Sequence, residues 1–206
     1  MTNIETMAQF LTKQLPAGSL GGVRPIRAGD ELLLRPTELE GLERAVVSVR
    51  RASGAGRNLA RELCGRMGAA VAEIPRSSGR GPVWPAGIVG SIGHDRLFAA
   101  AVVASTQAFG GVGIDVESPA GLSDQVVELI GSAEEIADFR QMPCGDKVLF
   151  SLKEAVFKAV HPRDRVFLEF HDVTVDRRSR TATTRYGRAV QWRALVEPRI
   201  LTVAWW

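Results

Sequence analysis

Two cysteines and four lysines are all that this 206-residue chain holds of those residue types, and each scarcity excludes something. Cys64 and Cys144 stand far apart, with no CxxC pair and no Cys/His cluster around them. Neither a disulfide framework nor a structural metal knot is expected, and both cysteines read as reduced, mostly buried thiols in a cytosolic protein. No apolar run approaches the roughly 18 residues needed to cross a bilayer. Met1–Pro16 lacks the cationic start and apolar stretch of a secretory signal, so a soluble, cytoplasmic chain without membrane insertion is expected.

Lysine is confined to Lys13, Lys147, Lys153 and Lys158, and the last two fall within one short motif. Every other cation is an arginine, concentrated in Arg44–Arg66 and again in Arg177–Arg199. Such clusters suit a polyanion, but they also suit a solvated surface, and a net charge of only +3 favours the second. With no nucleic-acid motif in the chain, no nucleic-acid partner is expected. An apolar fraction of 45% and a charged fraction of 24% are those of an ordinary globular protein. The length suits one large domain or two halves of about 100 residues each.

Turn residues divide the pattern into elements. Residues 1–43 are broken by Pro16, Gly18, Gly21, Gly22 and Pro25, which predicts turns and two short strands. Val46, Val49, Leu59, Leu63, Met67 and Val71 recur near helical spacing, but Gly54 and Gly56 predict a break, with the clearer helix starting near Asn58. A Pro/Gly-rich loop covers 75–90, and the apolar run Leu97–Ala104 reads as a buried strand, followed by a second strand over Val112–Glu117. Helices are expected at Ser123–Ile130, Glu134–Phe139 and Lys147–Val160. Strands should follow at Val166–Val175, Thr181–Tyr186, Ala189–Val196 and Ile200–Trp205. This order is α+β rather than regularly alternating.

Three segments carry the chemistry. In a strand over Val112–Glu117 the side chains alternate, so Val112, Ile114 and Val116 face one way and Asp115 and Glu117 the other. Two carboxylates about 7 Å apart at Cα repel unless a cation intervenes. Mg²⁺ is commonly held by one or two carboxylates plus substrate phosphates, although an ordinary polar strand face has the same pattern. The second segment, Phe150–Lys158, places Leu149, Leu152, Val156 and Ala159 on an inward helical stripe, with Glu154 and Lys158 meeting at i and i+4. It reads either as a surface ion pair or as a third metal carboxylate, Glu154, flanked by phosphate-neutralising Lys153 and Lys158. The third is the loop Arg80–His94. Its prolines stiffen it, Trp84 offers a flat anchor, and Ser91 and His94 are placed to donate to a phosphate.

In order and spacing, PxWPxGxxGSxxH, GIDVE and FSxKEAxFK resemble the phosphopantetheinyl transferase superfamily, in its two-halved bacterial form serving nonribosomal peptide and siderophore synthetases. Weaker similarity extends the resemblance over roughly residues 44–175. It implies a pseudo-twofold pair of similar α+β halves with the active site in the cleft between them. Residues 1–110 would form the coenzyme A nucleotide side, and residues 111–206 would carry the metal and lysine motifs. It also implies transfer of 4'-phosphopantetheine from coenzyme A to a serine of an apo acyl or peptidyl carrier protein, releasing adenosine 3',5'-bisphosphate, by a Mg²⁺-dependent monomer.

By position, Asp115, Glu117 and Glu154 become the metal ligands, and Glu154 and Lys158 the catalytic pair. Arg51, Arg57, Arg80, Ser91, His94, Lys153 and Lys158 become the coenzyme A contacts. Two positions depart from the family pattern. Gly93 stands where a serine hydroxyl is usual, and Ser53-Gly54 replaces a common acidic–aromatic pair. Both changes touch coenzyme A recognition, and they keep open a repurposed member that binds coenzyme A or a related nucleotide without transferring it.

Overall fold

The computed structural model describes residues 2–77 and 81–206, and the chain divides into two units, Met1–Phe109 and Gly110–Trp206. The first begins with helix α1 (Asn3–Gln14), where sequence reasoning expected only turns and strands. Its signal is present in the sequence. Thr2 and Glu5 form a reciprocal capping box, and Met7 and Leu11, one turn apart, are the buried residues. Strand β1 (Ser19–Pro25) follows, then a 3-10 turn over Asp30–Leu33, the short helix α2 (Pro36–Leu39) and the long helix α3 (Val47–Arg66). Strands β2 (Ile88–His94) and β3 (Phe98–Ser105) complete an antiparallel sheet of order β1-β3-β2.

Gly54 and Gly56 do not break α3, which runs unbroken for 20 residues. They are points of close approach. A Cβ at Gly54 would collide with the Asp30 carbonyl oxygen, and one at Gly56 would press on Ile92 at 2.5 Å. Glycine here trades about 1 kcal/mol of helix propensity for backbone proximity. Leu59, Ala60, Leu63 and Cys64 of α3 then pack on Ile88, Ala101 and Val103 of the sheet.

The second unit comprises β4 (Val112–Glu117), α4 (Asp124–Ile130), α5 (Ala133–Phe139), α6 (Gly145–Asp164), a 3-10 turn at Phe170–Asp172, β5 (Val173–Asp176), β6 (Thr181–Thr184), β7 (Ala189–Leu195) and β8 (Ile200–Trp205). The five strands form an antiparallel sheet of order β4-β8-β7-β6-β5. Helix α6 crosses it, burying Val148, Leu149, Leu152, Val156 and Ala159 against Trp192, Ile200 and Ala204. The inward stripe expected from the sequence is therefore present.

Each unit pairs a small antiparallel sheet with a 20-residue helix, in keeping with two similar α+β halves, although one sheet has three strands and the other five. Cys64 is buried, but Cys144 is exposed, which corrects the expectation of two buried thiols. It caps the start of α6 with a positive φ, and its Sγ donates to the Pro119 carbonyl at 3.6 Å. Among the described residues no helix is long and apolar enough to cross a membrane.

Candidate active site

In the second unit, the site is built where α6 runs beside β4. Gly113 permits this, because a Cβ there would collide with the Ala155 carbonyl oxygen. On β4 the period-two alternation turns Gly113, Asp115 and Glu117 toward the helix, while Val112, Ile114 and Val116 are buried on the other face. On α6, Lys147, Ser151, Glu154 and Lys158 recur every three or four residues and form a polar stripe. Strand and stripe meet at Asp115. Its Oδ1 accepts from Lys158 Nζ at 2.6 Å, and its Oδ2 accepts from Ser151 Oγ at 2.8 Å. Ser151 Oγ is also 2.9 Å from Thr202 Oγ1 on β8, directly across from Asp115 in the ladder. Lys147 Nζ pairs with Glu117 Oε2 at 2.9 Å.

Glu154 makes no hydrogen bond or ion pair with any described residue. Burial pushes its carboxyl above the usual 4.5, and the charges of Asp115 and Glu117 push the same way, against the pull of Lys158. Glu154 thus lies within reach of the charges of both other predicted carboxylates. Lys158 is not paired with Glu154, as i, i+4 spacing alone implied, but with Asp115. Lys147 and Ser151 escaped the sequence reading; their signal was their spacing of seven and three residues before Glu154.

Lys153 requires a correction. Expected beside a substrate phosphate, it is 2% exposed and faces the interior of its unit. Its Nζ donates to Glu135 Oε2 at 2.8 Å and to the Phe170 carbonyl at 3.1 Å. Glu135 Oε1 in turn accepts from the Val175 amide. One residue from Glu154 on a helix is about 100° of rotation, so adjacent residues of the motif face different surroundings.

Among the described residues no group of three or more His, Cys, Asp or Glu side chains is arranged to hold a metal ion. Asp115 and Glu117 instead carry lysine ammonium groups at contact distance. The donor chemistry nevertheless fits a hard divalent cation, since all three predicted ligands are carboxylates and two of them already hold a cation.

The first unit holds a cavity of about 200 Å³ lined by Leu42, Val49, Ser53, Arg57, Arg76, Pro82, Ile92 and His94. Arg57 is fixed within it. Its Nε donates to the Ile74 carbonyl at 3.0 Å and its Nη1 to Ser53 Oγ at 2.5 Å. Burial, chiefly, and the nearby charges of Arg76 and Arg61 hold the Arg57 pKa below its ordinary value, against the pull of Glu38. An anion would relieve that cation cluster.

Not every predicted contact reaches the cavity. Arg57 and His94 line it, whereas Arg51 is paired with Glu31 at 2.9 Å. That pairing draws the Glu31 carboxyl down to about 2. Ser91 was expected beside His94 in a loop, but Ile88–His94 is a strand. Its alternation points Ile92 and His94 to the cavity, and Ser91, 4% exposed, lies on the other face with Gly93. Arg80 lies outside the described residues.

The comparisons with known proteins agree with this division. Residues 37–104 match the family model of the 4'-phosphopantetheinyl transferase N-terminal domain, and residues 111–204 that of the 4'-phosphopantetheinyl transferase superfamily. The chain is similar to 4'-phosphopantetheinyl transferase PptT of Mycobacterium tuberculosis, with 34% identity over 144 residues, 68% of this chain and 63% of that protein. It is similar to 4'-phosphopantetheinyl transferase Svp of Streptomyces mobaraensis, with 33% identity over 161 residues, 74% of this chain and 65% of that protein. It is also similar to 4'-phosphopantetheinyl transferase Npt of Nocardia iowensis, with 29% identity over 164 residues, 78% of this chain and 73% of that protein. The chain therefore spans somewhat less than two thirds of the length of the first two relatives.

Proposed function

The chain belongs to the 4'-phosphopantetheinyl transferase superfamily, and on that premise we propose that it transfers the 4'-phosphopantetheine of coenzyme A to a serine of an apo carrier protein. The observation that supports this reading is the polar stripe of α6, from which Lys158 pairs with Asp115 while Glu154 lies within reach of the charges of Asp115 and Glu117.

In the proposed step the carrier serine Oγ forms a bond to the β-phosphorus of coenzyme A. The bond from that phosphorus to the oxygen bridging the α-phosphate breaks, and adenosine 3',5'-bisphosphate leaves with the electron pair. A serine hydroxyl is a weak nucleophile near neutral pH, so its proton must be taken. Glu154 suits that task, because its raised pKa makes it a better base than a solvated carboxylate and no described group hydrogen-bonds to its oxygens. Lys158, on the same stripe of α6, would neutralise charge on the departing phosphate once Asp115 releases it. Asp115, Glu117 and Glu154 would hold Mg²⁺, which when bound supplies positive charge to polarise the diphosphate oxygens. Ser151 and Thr202 keep Asp115 oriented throughout. The Arg57, Arg76 and His94 cavity is assigned to the phosphate of the nucleotide end.

The test is incubation with apo carrier proteins, coenzyme A and Mg²⁺, followed by intact-protein mass measurement. A gain of one phosphopantetheine on the carrier serine is expected, with loss of that gain when Mg²⁺ is chelated. No gain on any carrier from a folded enzyme would overturn the proposal.

A further inference from the structure

We propose that Ser53 is a specificity-determining residue of the arginine-lined cavity, donating its hydroxyl hydrogen to the phosphate monoester bound there. The inference rests on the assignment of that cavity to the nucleotide end of coenzyme A. A hydroxyl offers one hydrogen and two lone pairs. Ser53 Oγ uses a lone pair to accept from Arg57 Nη1 at 2.5 Å, and its hydrogen goes to no described protein group. Ser53 lies one turn before Arg57 on α3, and both line the cavity with Arg76 and His94.

Arg57 is held on its other side by the Ile74 carbonyl, so the guanidinium cannot turn to follow a ligand. The two arginines only donate, so a group that accepts from Arg57, Arg76 and Ser53 together is rich in oxygen and anionic, as a terminal phosphate is. The Ser53 hydroxyl orients the guanidinium and leaves its charge for the ligand.

Calorimetric titration of the folded chain with coenzyme A and with dephospho-coenzyme A, which lacks the 3'-phosphate, tests this. Ser53→Ala should weaken coenzyme A binding about tenfold, the loss of one hydrogen bond to a charged group. Ser53→Thr, which keeps the hydroxyl, should restore it. Affinity for dephospho-coenzyme A should stay within about twofold of the wild type in the alanine and threonine variants, whereas the alanine variant should melt a few degrees lower because Arg57 Nη1 loses its partner. Wild-type affinity for coenzyme A in Ser53→Ala, or an equal loss for both ligands, would overturn the role of Ser53 while leaving the transferase reading standing. A wild-type chain that transfers phosphopantetheine but binds both ligands equally would overturn the cavity assignment and the inference with it. A chain that neither binds coenzyme A nor modifies a carrier would overturn the transferase reading itself.

Discussion

Replacing Lys153 by methionine separates the two roles that this residue could have had. The Lys153 and Glu135 side chains are 1% and 9% exposed and 2.8 Å apart, a buried ion pair. Burial dominates the Lys153 pKa, which is lowered even though Glu135 acts to raise it. Removing one partner of a buried pair typically costs about 3–5 kcal/mol. In Lys153→Met the abandoned Glu135 still accepts from the Ser132 and Val175 amides. The methionine also fills most of the lysine volume, so the lower end, about 3 kcal/mol, is expected. For a chain of this size that corresponds to a fall in melting temperature of about 6–12 °C.

The measurement is a thermal melt beside turnover at saturating coenzyme A and low temperature, where the variant remains folded. The reasoning predicts a large melting shift with turnover retained to within a few-fold. The double replacement Lys153→Met with Glu135→Leu should regain part of the loss, because no unpaired charge remains. A variant that melts with the wild type but has lost turnover would refute this account and restore Lys153 to the phosphate.

Four further outcomes are expected. Asp115→Asn, which keeps an acceptor for Ser151 but gives up the charge that holds Lys158, should reduce transfer by about a hundredfold or more in the carrier mass assay. Lys158→Met should lower the transfer rate strongly and lower the melting temperature as well, since it strips the buried Asp115 carboxylate of its cation. Glu154→Gln should abolish transfer yet stabilise the fold at neutral pH, as denaturant melts across pH would show. The Glu154 pKa is raised in the folded state, so the native chain binds the extra proton and wild-type stability falls as pH rises above 4.5. The difference between the two proteins should vanish below that pH. Gly113→Ala should force α6 away from β4 and reduce transfer and melting temperature together.

Much of the candidate site could be read from residue spacing. The β4 alternation depends only on chain geometry, which repeats every two residues, so Asp115 and Glu117 share a face wherever that strand packs. The inward stripe Leu149, Leu152, Val156 and Ala159 follows in the same way from 3.6 residues per turn, and it fixes Glu154 on a different side of α6. Periodicity misled where a residue answered to a neighbour distant in the chain. Gly54 and Gly56 look like helix breakers until the Asp30 carbonyl and Ile92 are seen against them. Ser91 and His94 look like partners until the strand places them on opposite faces.

The amino-acid order by itself determined the identities and local directions of the acids, because those depend on dihedral periodicity and need no partner. Tertiary packing alone decided which cation each acid holds. Lys158 turns to Asp115, Lys147 to Glu117, and Lys153 inward to Glu135. Charge pairing falls off with distance and depends on burial, and both quantities come into existence only when α6 is laid against the sheet.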